Sequence, residues 1–251
     1  MQVLPRWEPF VGMDWLRGGI SNRAEGGMSW SGSLPDEVVA NRRRYFAAMH
    51  NTIEEAVAAD QVHGASVARV THEQAGLGVF DDASRITATD GLMTDVPGLI
   101  LTTLHADCAP VFYADVEHKA VGLAHAGRRG ILAGLPGEML RRMRAEFGTN
   151  LNAVRVAVGP TISTFRYEVT EEIADSFAER FGSHVVMREG RRAFLDLIAS
   201  LAVDLRENGL PTDRLPVRPP CTATGDQWSS YRRDGDAARS MIAWLVIRRE
   251  R

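Results

Sequence analysis

The stretch LILTTLHADCAPVFYADVEHKAVGLAHAG, residues 99–127, decides how this chain is read. Short apolar runs at 99–104, 111–113 and 121–124 alternate with small-residue or polar breaks. Runs of that length, rich in β-branched and aromatic residues, read as strands of a sheet core. Two breaks carry a reactive side chain at a predicted strand end: Cys108 in Ala106-Asp107-Cys108-Ala109-Pro110, and His125 in Ala124-His125-Ala126-Gly127.

Outward from this stretch, 154–158 reads as a further strand and 239–247 as a closing one. Amphipathic helical periods cover 36–49, with Ser33 and Pro35 as start signals, then 131–147, 171–181 and 195–208. Pro136-Gly137 is predicted to kink or delay the second helix. The run Arg17-Gly18-Gly19-Ile20-Ser21, continuing to Gly26-Gly27, reads as a glycine-rich loop. Strands and helices alternate, so the fold class is mixed α/β, and the pattern leaves open whether the strands form one sheet or two. At 251 residues and 45% hydrophobic, with no linker-like stretch between 50 and 210, a single domain over residues 1–251 is expected.

A net charge of −3 provides no broad basic field, which argues against nucleic acid or an anionic membrane as partner. Local basic groups, Arg42 to Arg44, Arg128-Arg129, Arg141-Arg142 and Arg232-Arg233, could each hold one phosphate-sized anion. The first and third read better as solvated helix faces. The start, with Pro5, Trp7, Glu8 and Pro9, has no secretory pattern, and no window approaches about 18 consecutive apolar residues. The expected compartment is the cytoplasm. Its two cysteines, Cys108 and Cys221, form no disulfide framework, which leaves each as a buried thiol, a nucleophile or a ligand.

A third segment, Gln61-Val62-His63-Gly64, resembles the two breaks above. Each residue singly has a plain explanation as part of a core. Together, His63, Cys108 and His125 are two imidazoles and a thiolate, a set that suits tetrahedral zinc with an open fourth position. No CxxC or HxxxH pair supports convergence. Cys108 as nucleophile with His125 or His63 as base therefore stands beside it as a reading of the residues.

These segments appear in order with Asp90-Gly91-Leu92-Met93-Thr94, His125-Ala126-Gly127-Arg128-Arg129-Gly130, Gly159-Pro160, Tyr167-Glu168-Val169, Cys221-Thr222 and Ser230-Tyr231-Arg232-Arg233-Asp234. The set, from about Gln61 to the C-terminus, resembles the YfiH family, also labelled laccase-domain, polyphenol oxidase or peptidoglycan editing factor proteins. The resemblance implies a layered sandwich of mixed β-sheet core flanked by helices, and His63, Cys108 and His125 as metal ligands. It also implies phosphorolysis of adenosine, inosine, guanosine and methylthioadenosine, and adenosine deamination. Purine nucleosides and phosphate are then the partners of a monomer or small homo-oligomer, with zinc as the metal and copper as the alternative. The chain departs from the family in carrying Arg128 where tryptophan is usual. It also has Leu16 where an arginine precedes the glycine pair, lacks a recognisable Ser-Leu-Asn-Leu, and lacks a cysteine before Tyr167.

For deamination, water activated by the metal would attack the purine carbon bearing the amine. Asp107 is the nearest candidate proton shuttle in sequence, although neighbours on a strand point to opposite faces. For phosphorolysis, Arg129, close to a predicted helix start, is the first candidate for phosphate. One of Arg232 and Arg233 is expected to reach the site while the other pairs with an acid. Tyr167 and Glu168 could supply a hydroxyl and a carboxylate near the purine. The seven histidines include no His-x-His pair, so no four-copper centre is expected. Two other readings remain: a cysteine hydrolase or amidase editing cytosolic peptidoglycan precursors, and a non-catalytic nucleoside-binding protein.

Overall fold

The computed structural model describes residues 7–31 and 34–250; Ser33 and residues 1–6, used above, lie outside them. The chain begins with β1 (Leu16–Ile20), α1 (Pro35–Ala48), β2 (Ala56–Ala58), β3 (Val67–Arg69) and β4 (Gly91–Thr94). There follow β5 (Ile100–His105), β6 (Ala109–Asp115), β7 (Ala120–Ala126), α2 (Arg128–Leu132), α3 (Leu135–Phe147) and β8 (Val154–Val158). The last part holds β9 (Glu168–Val169), α4 (Glu171–Phe181), β10 (Val186–Glu189), β11 (Arg192–Leu195), α5 (Leu197–Glu207), α6 (Tyr231–Asp234) and β12 (Met241–Ile247).

The strands form a four-stranded sheet, β1-β12-β5-β2, a five-stranded sheet, β3-β4-β7-β6-β8, and a small sheet, β10-β11-β9. Side chains alternate across a strand, and here both faces are buried. In β12, Met241, Ala243, Leu245 and Ile247 enter the cluster between the two large sheets. Ile242, Trp244 and Val246 enter the cluster under α1. In β6, Phe112 and Ala114 face the inter-sheet cluster, whereas Val111 and Tyr113 pack with Met139, Leu140, Phe177 and Leu201 of the helices. The layers are therefore helix, sheet, sheet, helices, which answers the question that periodicity left open.

Three local readings change. The predicted glycine-rich loop at Arg17 to Ser21 is instead largely β1, antiparallel to β12. Its glycines serve close approach: a Cβ on Gly18 would lie 2.9 Å from Leu245 Cδ1, and one on Gly19 3.3 Å from Trp244 Nε1. The predicted 131–147 helix is divided into α2 and α3 at Gly134, whose φ of 82° is left-handed. Pro136 then falls in the first turn of α3, where a missing N–H costs no hydrogen bond. On the other side of the molecule, Arg42 of the expected solvated face is fully buried, while Arg43 and Arg44 are exposed.

Candidate metal centre

The centre lies where β5 leaves one large sheet and β6 enters the other. The connecting turn, Ala106-Asp107-Cys108, places Cys108 at this corner, with Asp107 at φ 84°. A non-glycine residue in that region persists only when its surroundings hold it. The Asp107 carbonyl accepts from Thr161 Oγ1 at 2.6 Å and from the Ile162 N–H at 3.1 Å. Its carboxylate accepts from the Thr222 hydroxyl and, at 2.7 Å, from the Arg232 N–H. Buried His105 donates Nδ1–H to the Cys108 carbonyl at 3.0 Å and accepts the Thr103 hydroxyl at 2.7 Å. Burial holds it neutral, well below the usual histidine pKa.

His125 is the penultimate residue of β7. Antiparallel pairing of Gly91 with Ala124 brings Asp90, just before β4, beside it. Asp90 Oδ1 accepts from His125 Nδ1 at 2.9 Å and from the His63 N–H at 3.0 Å; Oδ2 accepts from the N–H groups of Gly64 at 2.7 Å and Val62 at 3.2 Å. One fully buried carboxylate thus fixes the His125 ring and the loop carrying His63, which has φ 62°. With Nδ1 engaged, Nε2 is the His125 atom left for a metal. Gln61 completes the loop by exchanging hydrogen bonds with the Leu104 backbone at 2.7 and 2.8 Å, as a paired strand residue would.

One donor atom each from His63, Cys108 and His125 lies within 4.8 Å of the others, and the two imidazoles meet edge to face at 4.8 Å. Zinc–nitrogen and zinc–sulfur bonds set such donors about 3.3–3.7 Å apart, so the group needs only a small contraction. Gly127 keeps the space clear: a Cβ there would stand 2.8 Å from Cys108 Sγ and 3.0 Å from His63 Cδ2. The donor set and its cradle fit a metal.

Charge favours the same outcome. Burial pushes the Cys108 thiol up, but the charge of His125, then hydrogen bonds from His125 and His63, bring it down to about 6. Burial depresses His125, yet the Cys108 thiolate and the Asp90 hydrogen bond raise it to about 9. Without metal, the pair is therefore thiolate and imidazolium at neutral pH. Metal binding must expel the His125 proton between about pH 6 and 9, so apparent affinity should rise about tenfold per pH unit there. Below about 6 the thiol must also lose its proton and the slope should steepen. Zinc titrations in buffers of different ionisation enthalpy count these protons; pH-independent affinity from 6.5 to 8.5 would refute the coupling.

The three donors open into a cavity of about 870 Å³ that also includes Trp30, Gln61, Asp82, Arg85, Asp107, Tyr167, Tyr231 and Arg232. Arg232 stacks on Tyr167, 5.1 Å from the ring centroid, and donates to the Glu168 carbonyl at 2.8 Å. Tyr167 remains a phenol: burial and then the Cys108 charge raise its pKa against the opposing effects of Arg128 and Arg232. Several expected site residues lie elsewhere. Arg233 donates to the carbonyls of Thr222, Gly225 and Trp228 and pairs with Asp234 at 2.7 Å. These contacts secure its loop. Arg129 is exposed and does not border the cavity; it is Arg128, one position earlier on the helix, whose charge acts on Tyr167. The Glu168 carboxylate turns to Arg192 at 2.7 Å. Asp107 lies in a turn rather than on a strand, and both its carboxylate oxygens hold the Thr222 and Arg232 segments. Sequence reasoning gave no role to Asp90, Trp30 or Arg85. For Asp90 the available signal was an acid immediately before a strand in the Asp90-Gly91-Leu92-Met93-Thr94 motif.

Residues 16–248 of this helix–sheet–sheet–helix sandwich match the family described as multi-copper polyphenol oxidoreductase laccase, and the chain belongs to that family. More particularly, the chain is 33% identical over 220 residues to purine nucleoside phosphorylase YlmD of Geobacillus stearothermophilus, covering 85% of this chain and 80% of the relative. It is 35% identical over 214 residues to a purine nucleoside phosphorylase of Deinococcus radiodurans, covering 85% and 78%. The crystal structure of YlmD from G. stearothermophilus superposes with a TM-score of 0.92 at 28% identity, covering 99% of this chain and 98% of that one. YfiH of Bacillus licheniformis, described as hypothetical, superposes at 0.90 with 25% identity and 96% of both chains. No described helix is long and apolar enough to cross a membrane.

Proposed function

We propose that this chain is a zinc-dependent purine nucleoside phosphorylase acting on adenosine, inosine, guanosine and methylthioadenosine, with adenosine deaminase activity at the same centre. The observation that carries the reading is the His63, Cys108 and His125 donor set opening into a cavity that also contains Arg232 stacked on Tyr167. The names of the relatives agree with its purine nucleoside phosphorylase part.

In phosphorolysis, a phosphate oxygen bonds to the anomeric carbon as the bond to the purine nitrogen breaks. The electron pair leaves with the base, which takes up a proton, and the products are a sugar 1-phosphate and free base. Arg232 is the cation assigned to phosphate, held by its N–H bond to Asp107 and its stacking on Tyr167. Asp107 thus serves as a positioning residue for Arg232 instead of the proton shuttle expected from sequence. The Tyr167 phenol is placed to donate a hydrogen bond to the substrate. When bound by His63, Cys108 and His125, zinc supplies a Lewis acid that polarises oxygen and acidifies water. A single metal bound by these donors is proposed rather than a multi-copper centre.

The test is chromatography of inosine and adenosine incubated with zinc-loaded protein, with and without phosphate. Phosphate-dependent hypoxanthine and adenine are expected, as is inosine from adenosine; no product from either nucleoside would refute the reading. Arg232→Ala should raise the phosphate KM about tenfold or more, as expected from losing a charge-assisted contact. An unchanged phosphate KM would remove Arg232 from that role.

One observation favours a second reading. Cys108, His125 and Asp90 form a thiolate, imidazolium and carboxylate series, the order used by cysteine hydrolases. Such an enzyme would act metal-free and lose activity on stoichiometric alkylation of Cys108, whereas the zinc reading requires zinc for turnover.

A further inference from the structure

The phosphorylase reading uses the metal donors and the side chains of Tyr167 and Arg232. It leaves unexplained the cavity residues contributed by two other segments, Trp30 and the pair Asp82 and Arg85. Trp30 is unusual there. Arg42, 1% exposed, places its guanidinium 4.6 Å from the indole centroid. Arg42 is itself fixed by donating to the Met28 carbonyl at 2.6 and 3.0 Å and to the Gly78 and Val79 carbonyls at 2.9 and 3.0 Å. Trp30 borders the cavity, whereas Arg42 is not part of its wall.

The fully buried cation therefore backs the indole and holds the segment that presents it. The ring's Nε1–H is buried and has no acceptor among the described residues. An aromatic face backed by a fixed cation and bordering a cavity with a metal-type donor set is suited to stacking against a flat heterocycle.

We propose that Trp30 is the platform on which the purine base of the substrate stacks, with Arg42 as the positioning residue behind it. This rests on the nucleoside phosphorylase reading and deepens it. Base recognition is assigned to Trp30, and phosphate recognition to Arg232 and its neighbour Tyr167. Stacking selects the base and is indifferent to the sugar's 5′ substituent, which fits a range of purine nucleosides.

The experiment compares wild type, Trp30→Ala and Trp30→Phe, all zinc-loaded, for phosphorolysis of inosine and for direct binding of hypoxanthine by titration calorimetry, with intrinsic fluorescence followed in parallel. Trp30→Ala should raise the inosine KM roughly tenfold to a hundredfold, as loss of a base-stacking ring does. The phosphate KM should be unchanged and kcat within about twofold, the pattern of lost uniform binding. Trp30→Phe should recover most of the inosine affinity while losing the ligand-dependent fluorescence change. A merely structural role would instead lower Tm or zinc content and shift both KM values together. If wild type is active and Trp30→Ala keeps its inosine KM, the platform assignment is wrong and the phosphorylase reading stands. If wild type forms no hypoxanthine, the phosphorylase reading fails and the hypoxanthine titration decides the platform: equal binding by wild type and Trp30→Ala, or none by either, overturns it.

Discussion

Cys108→Ala is expected to lose stoichiometric zinc on dialysis and, with it, all measurable phosphorolysis and deamination. The thiolate is the one anionic donor in the set, and it is also what raises His125 to about 9. Without it the site retains two imidazoles, too few to hold the ion against solvent. The affinity loss should exceed the roughly tenfold to hundredfold typical of removing an outer hydrogen-bond partner. The fold should survive. The turn is held through the backbone carbonyls of Asp107 and Cys108 and through the Asp107 carboxylate, none of which the substitution removes. Atomic emission on dialysed protein, with product chromatography and a melting curve, reads all three consequences. Retained zinc in a well-folded variant would mean that the donors are misassigned. Zinc lost with activity intact would point to a reaction that needs neither the metal nor the thiol.

Much of the scaffold could be read before the structure because burial writes itself into local composition. The runs at 99–104, 111–113, 121–124 and 154–158 all fall within or overlap β5 to β8. α4 occupies the predicted span of 171–181. What local pattern could not give was the layer count, since β6 and β12 are apolar on both faces and show no polar alternation. Gly18-Gly19 misled for a related reason: glycine marks close approach as readily as a turn, and the partners, Trp244 and Leu245, lie at the other end of the chain.

The same limit governed the site. His63, Cys108 and His125 were identifiable by type, but their convergence depends on a sheet corner and a cross-strand pairing far apart in sequence. The choice between Arg128 and Arg129 depends on the helical phase of α2, and that between Arg232 and Arg233 on which one the Asp107 carboxylate tethers through its backbone. Neither is encoded in neighbouring residues. Asp90 was given no role because an acid before a strand is ordinarily a turn residue. Its role becomes visible only when β4 and β7 pair.

Asp90→Asn isolates that role. The native carboxylate only accepts: His125 Nδ1–H and the His63 N–H on one oxygen, the Val62 and Gly64 N–H groups on the other. Asparagine has the same shape but one amide group, which would aim its own N–H at existing donors on one side or the other. A buried donor facing a donor costs about 1–3 kcal/mol, and the lost negative charge also weakens the His125 imidazolium and the basicity of its Nε2. Zinc affinity should fall about tenfold to a hundredfold, and Tm by several degrees, with the His63 loop more exposed to amide exchange. Because His125 loses a counter-charge, its pKa in the metal-free protein should move down from about 9 toward its ordinary value. The pH range over which zinc uptake releases a proton from His125 should therefore contract from its alkaline end. A merely structural role for Asp90 would lower Tm and leave this proton linkage in place. Zinc titration of the variant across pH 6–9, with exchange measured at residues 62–64, separates the two: a fall in affinity with an unchanged upper limit of proton release would show that Asp90 holds the loop and leaves the electrostatics of His125 to Cys108 alone.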